Sequence, residues 1–107
     1  MNEKYQSLAE AFKEVLCFDN EGCNKFVMAL TVVKEQGYLR AQECRQFAEL
    51  GIPLILELHQ RLNLSARTIH NLIQLGDVIS YRDTVIALYG ILERLQDISN
   101  YFCRSKT

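Results

Sequence analysis

Between Gly37 and Ala87 a short phrase occurs twice, and it is a phrase that stops one helix and starts another. GYLRAQECRQFA, from Gly37 to Ala48, is echoed by GDVISYRDTVIA, from Gly76 to Ala87. In each copy a glycine follows an apolar-periodic segment, an aliphatic residue anchors the loop, and a new helical pattern begins. Glycine just past a helix end takes the left-handed backbone conformation without steric penalty. Two copies are too few for a stacked repeat array, which needs at least three units. The pair therefore reads as a duplicated capping device within one globular unit.

The remaining punctuation divides the chain into about six helices. Strand signals are poor, because no segment alternates cleanly. Leu8, Phe12, Val15 and Leu16 share one face of a first helix from about Asn2 to Cys17. A break over Phe18–Gly22 leads to a second helix from Cys23 to Gln36, with Phe26, Ala29, Leu30 and Val33 inward. Leu39 tucks in ahead of a short helix from Ala41 to Leu50, whose buried side is Cys44, Phe47 and Ala48. Gly51 closes that helix, and Pro53 suits the first turn of the next, where its missing N–H is no loss. Ile52, Ile55, Leu58 and Leu62 mark the inner face there, and Leu64 anchors the following loop.

Ser65 is a good N-cap for a fifth helix ending near Leu75, with Ile69, Leu72 and Ile73 inward. Gly76 terminates it and Val78 anchors the loop. Ser80 and Asp83 then resemble a capping box with Asp in the usual Glu or Gln place. The last helix, from about Tyr81, is the longest. Val85, Leu88, Leu92, Leu95 and Ile98 run down one side with Phe102 beyond, and residues 103–107 fray. This predicts an all-α fold, a single orthogonal bundle over residues 1–107. Helices of about ten residues are marginal alone, so tertiary packing must hold them.

Composition narrows the function. Twelve Lys+Arg against thirteen Asp+Glu give a net charge of -1, which draws the chain toward neither nucleic acid nor an acidic membrane. No apolar run approaches a membrane span and no signal peptide opens the chain, pointing to the cytosol. Cys17, Cys23, Cys44 and Cys103 form no C-x-x-C pair and match no zinc knuckle, so free buried or half-buried thiols are expected. His59 and His70 fall on different helices, and no hydrolase, metalloprotease or phosphate-loop motif is present. No catalytic residue, metal or cofactor is predicted.

Leu62–Gly76 resembles a helix-turn-helix of the excisionase kind. Ser65 would cap a recognition helix, and Arg67, Thr68, His70 and Asn71 would meet base edges. Against that, Asp77, Asp83 and a long amphipathic helix stand where a basic wing would follow, and cations for phosphate contacts are scarce. A small DNA-binding regulator is thus the alternative reading.

The ordered set of boundary residues carries a broader resemblance. Gly37 and Leu39, then Gly51-Ile52-Pro53, then Leu64-Ser65, then Gly76, Val78 and Ser80 follow the order and spacing of the helical domain near the N-terminus of phage tail tape measure proteins. The resemblance spans about Lys25 to Leu95. The chain departs from the family at Arg40, where serine or threonine is usual, and at Tyr38 or Asp77, where lysine is usual. It also lacks the long helical rod whose length sets tail length. The resemblance implies a structural role in tail assembly and length determination, through contacts with phage tail proteins or self-association. It implies a bacterial cytoplasmic location during assembly and the virion tail thereafter, while the balanced charge predicts no nucleic-acid partner.

Overall fold

The computed structural model describes residues 3–105, with side chains for residues 4–100. Tyr101, Phe102 and Cys103, assigned above to the end of the apolar stripe and to the thiol set, lie outside the described side chains. Six helices follow in order: α1 Glu3–Leu16, α2 Asn20–Gln36, α3 Ala41–Glu49, α4 Leu54–Leu62, α5 Ala66–Leu75 and α6 Tyr81–Ser105. The fold is all-α. Among the described residues the only extended pairing is one antiparallel bridge, Tyr38 with Ser80.

That bridge joins the two copies of the phrase. Leu39 N–H donates to the Ile79 carbonyl at 2.7 Å, and Tyr81 N–H donates to the Gly37 carbonyl at 2.9 Å. The α2–α3 hinge and the α5–α6 hinge therefore satisfy each other's backbone groups. Gly37 (φ 89°) and Gly76 (φ 77°) sit at the turns, and the Gly37 N–H bonds back to the Val33 carbonyl at 2.8 Å. The two hinges differ by one residue. Asp77 also takes a positive φ, 60°, which lengthens the second hinge. The residue that meets Leu39 is consequently Ile79. The expected anchor, Val78, is 45% exposed while Ile79 is 2% exposed.

Three rings bind the core. Phe12 of α1 packs on Phe26 of α2 with centroids 5.4 Å apart, and Phe26 meets Phe47 of α3 edge-on at 5.3 Å. Leu30, Leu39, Ile52, Leu54, Leu58, Ile69 and Leu88 complete a continuous cluster across all six helices. Such offset and edge contacts are favoured by the ring quadrupoles. At the far side of α1, the Tyr5 and Tyr81 hydroxyls are hydrogen-bonded, tying α1 to the first turn of α6.

Several boundaries differ from expectation. α2 begins at Asn20, because Asp19 caps it by accepting from the Gly22 N–H at 2.8 Å. Gly22 is thus a buried helical residue and no break: a Cβ there would lie 2.7 Å from the Phe18 ring. Cys17 lies outside α1 in a left-handed conformation, φ 62°. Pro53 is the N-cap of α4, one place before the first turn. Ala48, Leu62, Leu64 and Ile98 are exposed, although each was expected inside. Leu54 and Glu57 are buried on α4 instead, since the helix turns that face toward α6. Ser80 accepts from the Asp83 N–H at 3.0 Å, which is half of the expected capping box.

Candidate functional site

Three surfaces could do work, and each is set by neighbouring elements. The first is the α4–α5 corner. Asn63 ends α4 with φ 55°, and Ser65 begins α5 by accepting from the Thr68 N–H at 3.1 Å. The side-chain oxygens of Ser65 and Thr68 are 2.8 Å apart, which turns the Thr68 hydroxyl toward the cap. Ile69 and Ile73 bury one face of α5. Arg67, Thr68, His70 and Asn71 are all exposed on the rest. His59 Nδ1 pairs with the Leu64 carbonyl, so this ring braces the corner.

The second is a buried carboxylate between α4 and α6. Glu57 is 2% exposed, and its two oxygens are shared out. Oε2 takes Arg61 Nε at 2.7 Å, and Oε1 takes Arg94 at 2.5 Å. Arg94 also donates to Gln60 Oε1 at 2.8 Å. A buried carboxylate needs such partners to offset its desolvation. A second buried acid, Glu43 of α3, is held by Arg40 at 2.9 and 3.2 Å, and this pairing raises the Arg40 guanidinium further above its ordinary pKa. Neither acid is marked by periodicity or by a motif. Their one local signal is the arginine four residues after Glu57 and three before Glu43, a spacing equally common on solvated helix faces.

The third is a groove between α2 and α3. Met28, Ala29, Val32 and Leu50 form its apolar lining, beside the polar and charged Lys25, Arg40, Gln46 and Glu49. Met28 is 68% exposed. Beyond the bundle, α6 continues with Gln96 to Asn100 all exposed, including Ile98 at 54%.

His59 and His70 are on separate helices; His70 lines a small cleft between α3 and α5 together with Cys44 and Arg45. Burial pushes the Cys44 thiol up to about 11, which disfavours the reactive thiolate. Cys23 is also raised, by burial first and then by Glu10. Cys17 is exposed, against expectation, because α1 stops one residue before it. Among the described residues no group of three or more His, Cys, Asp or Glu could hold a metal ion. No helix among them is long and apolar enough to cross a membrane.

The signature residues are spread along the helix boundaries and gather into no pocket. Gly37, Leu39 and Ser80 lie in or beside the paired hinges, and Gly76 and Val78 lead into the second of them. Gly51, Ile52 and Pro53 link α3 to α4, and Ser65 caps α5. No family model, curated protein or solved structure compared with this chain matches it.

Proposed function

We propose that this chain is a structural assembly module of the phage tail tape measure kind, working through contacts with tail proteins. One observation carries the reading. Every residue of the ordered boundary set falls at a junction between consecutive helices, which supports a scaffold-building role for the set. The groove beside exposed Met28 and the projecting end of α6 are surfaces suited to protein contacts. On this reading the protein acts in the bacterial cytoplasm during assembly and ends in the tail, where it contributes to length determination without catalysing a reaction.

The test is direct binding to purified phage tail-tube subunits and other phage tail proteins. Saturable binding to at least one is expected. Binding to none of them, with the protein folded by circular dichroism, ends this reading.

A second reading follows from α5. No acid occurs between Leu58 and Gly76, and the four polar residues of the outer face stand free of the core. That favours a duplex-DNA contact through Arg67, Thr68, His70 and Asn71. Binding that weakens steeply with salt is its expected mark. No retardation of duplex DNA at low salt would eliminate it.

A further inference from the structure

We propose that copies of this chain join head to tail, the projecting end of α6 from one copy lying in the α2–α3 groove of the next. The proposal deepens the assembly reading, on which it rests for its biological setting alone. The inward seam of α6 runs Thr84, Leu88, Ile91, Leu95 and Ile98, apolar from Leu88 on, at alternating spacings of four and three. The first three are buried in the bundle, Leu95 is half-buried and Ile98 is exposed. The seam that packs α6 into its own bundle thus runs on past the bundle edge.

The overhang needs a cover. From Gln96 to Ser105 the helix continues for about ten residues, roughly 15 Å, and a helix of that length is marginal without packing. Ser99 and Asn100 are also weak helix formers. The overhang cannot reach its own groove. α6 is unbroken from Tyr81, and the Arg94 contact with Glu57 pins it to α4 just before the overhang.

The groove offers the matching surface. Met28, Val32 and Leu50 line it between two helices, the geometry that accepts an amphipathic helix. Methionine adapts its shape to such a guest. Asp97 and Arg104 are the charged residues of the overhang, and the groove lining carries Lys25 of α2 and Glu49 of α3. Lys25 is held only loosely, by an exposed contact of 3.9 Å to Glu21. A protrusion and a groove at different places on one chain make a heterologous contact, which grows into open chains where the rotation does not close.

The experiment is sedimentation of the purified full chain across a wide concentration range, with Met28→Glu and Ile98→Glu. Both positions are exposed, so both variants should keep native helicity. The wild type is expected to gain mass with concentration, past twice the monomer mass. Each variant alone should remain monomeric. Mixed in equal amounts they should form a one-to-one dimer, because Met28→Glu keeps a working overhang and Ile98→Glu a working groove. A wild type that stays monomeric to millimolar concentration overturns the proposal. So does a mixture of the two variants that stays monomeric. Neither result bears on binding to tail proteins, which are absent from the experiment.

Discussion

Glu57 of α4 lies directly over Gly90 of α6. A Cβ built on Gly90 would stand 2.7 Å from Glu57 Oε2 and 2.1 Å from a terminal nitrogen of Arg61. The missing side chain is therefore the space in which the buried ion cluster sits.

Glycine to alanine in a helix interior ordinarily stabilises by about 0.5–1 kcal/mol. At position 90 the sign should reverse. Gly90→Ala must displace both Arg61 and a buried carboxylate, so we expect a loss of about 1–3 kcal/mol, typical of overpacking. Urea denaturation of the variant measures it. An unchanged or higher midpoint would show that the cluster relaxes freely.

The cluster itself should be unequal in its parts. Glu57→Ala removes the shared acceptor and should cost about 1–3 kcal/mol, below a fully buried pair because both guanidinium groups reach solvent. Arg94→Met leaves Arg61 on the carboxylate and should cost about 1 kcal/mol or less. Thermal melts of the two variants test the order. Equal losses would mean that Arg94 carries as much as the carboxylate.

The paired hinges make a sharper distinction. Leu39 and Ile79 meet at the Tyr38–Ser80 bridge, and each is buried. Leu39→Ala or Ile79→Ala should cost about 2–5 kcal/mol. Val78→Ala, one residue away, should stay within about 0.5 kcal/mol of the parent. A large effect at Val78 would contradict the pairing of Ile79 with Leu39.

Alkaline stability should depend on Tyr81. Burial first, and then the hydrogen bond with Tyr5, push its hydroxyl up to about 12 from an ordinary 10. The folded state thus holds the Tyr81 proton over a range where the unfolded chain releases it. Stability is fully present below about pH 10 and is lost as pH rises toward about 12. Tyr81→Phe should flatten this part of the profile, measured as denaturation midpoint against pH. An equally steep decline in the variant would assign the effect to other groups.

Helix boundaries were largely legible in the sequence because their physics is local. Ser65 caps whatever follows it, and Gly37 tolerates a positive φ wherever it stands. Gly22 misled for the opposite reason. Glycine by itself looks like a break, but Asp19 starts α2 earlier and the Phe18 ring fills the place of a side chain. Val78 misled because sequence spacing cannot reveal that Asp77 spends one residue on the turn. The surfaces proposed for binding were less legible still. Met28 received no role from periodicity, and Ile98 was assigned to the inner stripe. Only the placement of α3 beside α2, and the length of α6 beyond α4, leave them uncovered.

The sequence by itself determined that this chain is helical, roughly where each helix stops, and which faces are apolar, since capping and periodicity act within a turn or two. The tertiary structure alone decided that the two similar phrases hydrogen-bond to each other, that Ile79 and not Val78 meets Leu39, and that Glu57 is buried against Gly90. Those outcomes depend on contacts between residues more than thirty positions apart, and desolvation and close packing respond to the neighbour in space whatever its place in the chain.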